Sequence, residues 1–333
     1  MNAVVAPSIR PRRPAGLPRI ALGREWILVV ATLLLVGAVG ALNHDFLGVQ
    51  NLRFIVLNSV VLSLVALGQT LVIAMRGIDL SVAPLLGLAA MVCGLLAQSH
   101  GLPLGYAVLL CVGIGAVLGT FNGLLVATLN IPPIVVTLGT YSLYSGLTFL
   151  YSDGTQVDSV PPAYAAFGNG RIFGWLPLPT PVLVLLAVLA LCWFLLRHTR
   201  FGRSILAVGN NDAAAYHAGL AVKWVRVRVY AISGVLACFA GLMFLCYTGS
   251  ATVTAGTGDH LELQSIAVAL VGGTAISGGR GNLVGTVLGS LFLSVVLTAL
   301  VFLRVPPIWY SAGEGLMILA AVQGGFGRRS VAR

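Results

Sequence analysis

The 333-residue chain is 58% hydrophobic and only 8% charged, with 19 basic against 9 acidic residues and a net charge of +10. A soluble domain carries about 25% charged residues, so this is not the surface of an ordinary cytosolic enzyme; the hydrophobicity excludes a disordered chain, and the sparse cysteines exclude a disulfide scaffold. Net positive charge can mark a nucleic-acid binder, but a chain this apolar points to a bilayer, and no nucleic-acid partner is expected.

The chain opens with a basic, proline-broken stretch, 1–25, holding Arg10, Arg12, Arg13, Arg19 and Arg24. It reads as a disordered cytoplasmic tail before a signal anchor. A cleaved signal peptide fits less well, because the apolar run 26–42 continues without a convincing small-residue cleavage site. Stretches free of Asp, Glu, Lys and Arg then do most of the parsing: 26–44, 54–75, 80–152, 172–196, 229–258, 263–279, 281–303 and 315–327. A helix needs about 20 apolar residues to cross the hydrocarbon core. The 73-residue stretch 80–152 therefore holds several crossings, divided at Gln98-Ser99-His100-Gly101 and Asn130-Ile131-Pro132-Pro133.

The predicted crossings are approximately 26–42, 54–75, 82–97, 104–129, 132–150, 178–196, 229–247, 264–276, 283–303 and 307–323. Of these, 264–276 is short and glycine-laden. The expected fold class is all-α: a polytopic membrane protein of about ten transmembrane helices, with a transmembrane domain over 26–325 and a short tail, 326–333. Basic residues set orientation. They cluster in the N-terminal tail, in the loop 197–228 (Arg197, Arg200, Arg203, Lys223, Arg226, Arg228) and at Arg328, Arg329 and Arg333. Ten crossings with both termini cytoplasmic place 16 basic residues inside, counting Arg76 and Arg280, against Arg53, Arg171 and Arg304 outside. An odd number would put one cluster on the wrong side.

Several chemistries are missing. Lys223 is the only lysine and is followed by Trp224, so no Walker A loop can hold nucleotide phosphates. H-E-x-x-H, G-x-S-x-G and G-x-G-x-x-G elements do not occur. Ser277 and His260 do not have a nucleophile–base spacing. Cys93, Cys111, Cys192, Cys238 and Cys246 all fall in predicted crossings without metal-ligand spacing and read as small packing residues. No catalytic residue, metal or cofactor is expected. Polar residues inside a membrane are costly and so are functional candidates. Few here are ionisable, and a polar but mostly uncharged interior suits a neutral, hydroxyl-bearing solute.

Two interruptions break the apolar runs: Arg76-Gly77-Ile78-Asp79-Leu80-Ser81-Val82, and Gly272-Gly273-Thr274-Ala275-Ile276-Ser277-Gly278-Gly279-Arg280-Gly281. Each fits a tight interhelical turn, with Asp79 or Ser81 capping the next helix. Each also fits a broken helix lining a pathway, since non-helical backbone at membrane depth survives only inside protein or beside water. Both interruptions run in the same direction. In the loop 197–228, Val208-Gly209-Asn210-Asn211-Asp212 is a turn and helix-start signal, and Ala213-Ala214-Ala215-Tyr216-His217-Ala218 reads as a short helix stopped by Gly219. Such a helix is marginal alone. The loop is either a solvated, topology-setting segment or a docking site for a cytoplasmic partner.

These motifs resemble those of the membrane permeases of bacterial ABC importers for monosaccharides, of the ribose, xylose, rhamnose and autoinducer type. The resemblance covers about residues 50–325. It rests on Gly77-Ile78-Asp79-Leu80-Ser81-Val82, Phe121-Asn122-Gly123-Leu124-Leu125-Val126, Ile131-Pro132-Pro133-Ile134-Val135-Val136-Thr137-Leu138-Gly139-Thr140 and Phe201-Gly202-Arg203. Further matches are Gly209-Asn210 with Ala213-Ala214 and Gly219, and Val271-Gly272-Gly273-Thr274 followed by Ser277-Gly278-Gly279-Arg280-Gly281.

The resemblance implies a bacterial inner-membrane permease subunit that imports a monosaccharide or sugar-like solute. Its implied partners are a cytoplasmic ABC ATPase subunit, a periplasmic sugar-binding protein and a second permease, either an identical copy or a related chain. ATP hydrolysis would lie in the separate ATPase, seated on a coupling segment of Gly209, Asn210, Asn211, Asp212, Ala213, Ala214, His217 and Gly219. The candidate pathway residues are Asn58, Gln69, Asp79, Ser81, Asn122, Thr140, Tyr141, Tyr144 and Thr274, each of which also fits interhelical hydrogen bonding. The chain departs from the family pattern at Glu314, where a neutral or basic residue is usual. Glu314 would pair with Arg304, stay protonated or touch substrate. Competing readings from other classes are an ion- or proton-coupled carrier of a small neutral solute and a membrane enzyme of lipid or glycan metabolism.

Overall fold

Within residues 23–170, 179–306, 308–310, 312–313 and 315–316, the part that the computed structural model describes, the predicted crossings other than 264–276 are helical over nearly all their length. Glu314, the tail 326–333, more than half of the crossing 307–323 and most of the basic tail 1–25 lie outside the described residues.

The helices are α1 (Arg24–Leu42), α2 (Val49–Ala74), α3 (Val82–His100), α4 (Leu104–Thr128), α5 (Pro133–Ser152), α6 (Pro162–Asn169), α7 (Thr180–His198), α8 (Arg200–Asn210), α9 (Asp212–His217), α10 (Val222–Thr248), α11 (Leu261–Val271) and α12 (Leu283–Phe302). Among the described residues, eight are long and apolar enough to cross a bilayer: α1 to α5, α7, α10 and α12. A helix meets all its backbone hydrogen bonds within itself, which a bilayer demands. The only bridge-type backbone pairing among the described residues joins Val157 to Ala251.

The segment expected to cross over 264–276 is instead α11, 11 residues long. At 1.5 Å per residue it reaches about 16 Å, short of a bilayer core of about 30 Å. A second difference concerns 197–228, expected as a loop. Residues 200–210 are helical, and Lys223, Arg226 and Arg228 occupy the first turns of α10. Charge-free runs mark where a helix lies in hydrocarbon, whereas the helix itself continues past that boundary.

α2 is the central helix, with nearly every residue from Ile55 to Ala74 buried. α10, α11 and α12 surround it, and α1 packs on the far side of α12. The closest pair is α4 with α10, where Gly115, Gly119 and Gly123 lie one turn apart. A Cβ on Gly123 would sit 2.7 Å from Val227 Cα, one on Gly115 2.5 Å from Gly234 O, and one on Gly119 against Tyr230 O. Small residues let the two backbones touch, which drives helix association where lipid removes the hydrophobic incentive. α1, α4, α5 and α7 turn large apolar side chains outward, among them Leu34, Leu109, Leu138, Leu150 and Leu191.

Leaving aside the short α6, α8 and α9, successive helices alternate in direction, which sorts the connections to two ends. Connections near Arg76, Arg203, Lys223 and Arg280 make one end basic, and Asp153, Asp158 and Asp259 make the other acidic.

Candidate functional site

α2 ends at Ala74, and the chain turns through Arg76 to Ser81 before α3 begins. Asp79 sits in this turn with 0% exposure. Its Oδ1 accepts from the backbone amide (3.1 Å) and hydroxyl (2.6 Å) of Ser81, and its Oδ2 accepts from the Ser233 hydroxyl of α10 (3.0 Å). Asp79 thus holds the amide at the start of α3, while the Ser81 side chain makes no capping bond. The network runs on to other helices. Asn122 of α4 donates to Ser81 Oγ (2.7 Å), and the Tyr144 hydroxyl of α5 donates to Asn122 Oδ1 (3.1 Å). Gln69 of α2, with its amide turned to match, donates to Asp79 O (3.0 Å) and accepts from Asp79 N (3.2 Å).

Five of the candidate pathway residues, Gln69, Asp79, Ser81, Asn122 and Tyr144, therefore form one hydrogen-bonded network across α2, α4, α5 and the Asp79 turn, all buried. Such a network suits fixing helices to one another. The Tyr230 hydroxyl, buried beside Gly77, has no hydrogen-bond partner. Thr140 bonds back to Val136 O (3.2 Å) within α5, and Tyr141 stands half-buried on the same helix. Thr274 lies elsewhere, in the second interruption, where its Oγ1 accepts from Asn282 N (3.3 Å).

Asn58 belongs to a different place. Near the acidic end, α2, α10, α11 and α12 enclose a cavity of about 730 Å³. Its polar lining includes Asn58, Tyr247, Asp259, His260, Gln264 and Thr298, with Phe54, Phe244 and Phe302 supplying aromatic surface. Tyr247 donates to Asn58 Oδ1 (3.2 Å), and Gln264 Nε2 donates to Asp259 O (2.8 Å). Apolar walls with a few placed amides and hydroxyls are the usual make-up of a small-molecule site. This lining offers donors and acceptors to hydroxyl groups.

Sequence reasoning found only Asn58 here. A legible signal was the run Thr286, Ser290, Ser294 and Thr298, four residues apart and so on one face of α12. Two of these, Ser294 and Thr298, line the cavity, and Thr286 meets Thr70 of α2 (2.8 Å). Glu262 also escaped notice: it is buried in the first turn of α11, 3.6 Å from His260 Nδ1, with Oε2 unpartnered.

The opposite, basic end carries the candidate coupling segment. Thr199 caps α8 by accepting from Gly202 N (3.0 Å), and Asn211 caps α9 by accepting from Ala214 N (3.0 Å). Gly209 and Asn210 are the last residues of α8. Asp212 makes an ion pair with Arg226 of α10. Gly219, at φ +81°, ends the short helix as Leu220 N donates to Ala215 O (3.1 Å). Glycine takes that left-handed conformation without steric cost. Ala215 is buried, whereas Ala213, Ala214, Tyr216 and His217 face outward. The result is a six-residue helix anchored on one face through Ala215 and the Asp212–Arg226 pair, with its other face exposed.

The bundle of apolar helices agrees with the comparisons to known proteins. The family model described as branched-chain amino acid transport system, permease component, matches residues 51–322. The chain is 40% identical over 299 residues to the Autoinducer 2 import system permease protein LsrC of Enterobacter sp. (strain 638), covering 90% of this chain and 85% of that protein. It is 34% identical to the protein of the same description from Photorhabdus laumondii subsp. laumondii, covering 90% and 88%. For that of Escherichia coli O157:H7 the identity is 35%, covering 90% and 86%. No solved structure matches. With most of its length matched by the family model and nine-tenths of it by these relatives, the chain belongs to the family of transport-system permease components.

Proposed function

We propose that the chain is the permease subunit of an ATP-binding cassette importer of the bacterial inner membrane, passing a sugar-like solute of the autoinducer 2 kind inward. The observation that carries this reading is the likeness over 90% of the chain to autoinducer 2 import permeases. Residues 26–325 form the permease domain, between cytoplasmic tails 1–25 and 326–333. Ten crossings follow if α11 and the glycine-rich connection after it together make one interrupted crossing and 307–323 makes the last, and the basic end faces the cytoplasm, as the charge rule requires.

ATP hydrolysis belongs to a separate ABC ATPase subunit seated on the segment from Gly209 to Gly219. A periplasmic sugar-binding protein delivers the solute, and a second permease, identical or related, completes the membrane core. The cavity around Asn58 receives the solute. Its amides and hydroxyls suit a neutral polyol better than an ion, and the Asp79 network keeps the helices in place around the pathway.

Uptake of autoinducer 2 by proteoliposomes tests the proposal, with the chain reconstituted alongside its ATPase and binding protein. Accumulation should require ATP and the binding protein and survive collapse of the proton gradient. Accumulation driven by a proton gradient without ATP would overturn it in favour of a secondary carrier.

A further inference from the structure

Three segments meet backbone to backbone at the basic end: the turn after α2, the α8–α9 junction, and the glycine-rich connection between α11 and α12. The Gly279 amide donates to Ala74 O (2.9 Å). Gly209 lies so close to Ala74 O and Gly279 N that a Cβ there would overlap both, and a Cβ on Gly278 would meet Arg76 Cγ and Gly209 O. One side chain ties all three. Arg76 Nε donates to Ser277 O (2.8 Å), and its Nη2 donates to Asn210 O (2.6 Å).

Arg76 holds this place against its own backbone preference. Gly77 N donates to Val72 O (3.0 Å) and Arg76 N to Ile73 O (2.9 Å), with Arg76 at φ +65°. That is a Schellman ending, whose left-handed position glycine normally fills. A residue with a Cβ there costs about 1–2 kcal/mol. The turn itself does not need an arginine, whereas the two carbonyls beyond it do. Both acceptors are main-chain oxygens, so the clamp follows the backbone of the segments it joins. The guanidinium fork spans the two, which a lysine ammonium does poorly.

We propose that Arg76 is the positioning residue that couples the α9 segment to both helix interruptions. The inference rests on the ABC-permease reading above. Asn210 adjoins Asn211, the cap of α9, so no flexible linker separates the docking surface from the clamp. When an ATPase displaces α9, Asn210 O moves with it. Arg76 then draws the turn between α2 and α3, and through Ser277 the connection between α11 and α12, as one block. Without Arg76 the three segments keep the Gly279–Ala74 bond and glycine contacts, and α9 shifts without carrying both interruptions along.

The test is Arg76→Gly in the full complex with ATPase and binding protein, reconstituted into proteoliposomes. Glycine relaxes the left-handed turn, so the variant keeps its fold while losing the clamp. Co-purification with the ATPase and basal ATP hydrolysis should match wild type, while solute imported per ATP hydrolysed falls about tenfold, within the usual range of coupling energies. Arg76→Lys should fall between. Wild-type uptake per ATP in Arg76→Gly would overturn the proposal. So would loss of ATPase association and uptake in equal proportion, the mark of a purely structural role. Should Arg76→Gly fail to accumulate, the same ratio measured on Arg76→Lys decides. A wild-type chain that binds no ABC ATPase would sink the permease reading itself, and is told apart because it appears before any variant is made.

Discussion

At the scale of single residues, Asp79 shows how an acid can sit inside a membrane protein without a cation beside it. Its three hydrogen bonds come from Ser81 and Ser233, and Ser81 is in turn held by Asn122. Asp79→Asn keeps the shape and an oxygen for Ser81, and its amide can donate to a rotated Ser233 hydroxyl. Asp79→Ala strands those partners, at about 1–3 kcal/mol for each buried group left unpaired. Thermal unfolding in detergent should therefore rank wild type and Asp79→Asn close together with Asp79→Ala far below, and uptake should follow the amount of folded protein. If Asp79→Asn melts like wild type yet transports nothing, the carboxylate touches the solute and this structural role is wrong. Asp79 stood out in the sequence because it breaks an apolar run. The partner that fixes Oδ2, Ser233, is 154 positions away, and no local pattern announces it.

At the scale of elements, helix positions were legible and helix contacts were not. The ends of α3, α4 and α12 fall within a few residues of the predicted crossings, because a run without charges is the imprint of hydrocarbon on sequence. The same imprint hid the start of α10, since Lys223, Arg226 and Arg228 continue a helix beyond the membrane. Glycine spacing carried the missing information. Gly115, Gly119 and Gly123 face α10, while Gly113 of the same helix has nothing within 4 Å of a built Cβ. Gly119→Ala should push α4 off α10 and cost about 1–3 kcal/mol, the usual penalty of overpacking. Gly113→Ala should leave unfolding unchanged. Equal melting of the two variants would mean that the glycine seam does not hold the pair. A sequence reading weights each glycine alike, and only the helical phase relative to α10 separates them.

At the scale of the molecule, the charge asymmetry and the fold make one claim about orientation that neither makes alone. Basic residues crowd the end where α2 meets α3 and α11 meets α12, while Asp153, Asp158 and Asp259 gather at the other. Alternation of helix direction puts Asp158 and His217 at opposite ends, because α7 is the one membrane-length helix between them among the described residues. The five cysteines are all buried and free, so a membrane-impermeant maleimide should leave the wild-type chain unlabelled. Asp158 and His217 are both exposed, which makes single replacements there clean reporters. In intact spheroplasts that produce this chain without its ATPase, Asp158→Cys should label and His217→Cys should not; permeabilised membranes should label both. The reverse pattern would invert the orientation and remove α9 from any cytoplasmic ATPase. Labelling of both sites from outside would mean that α7 does not cross, and the even number of crossings would fall with it. A burial count cannot make this distinction, since an inverted bundle has the same core. The arginines and the single lysine that set the direction are the small charged minority of an otherwise apolar chain.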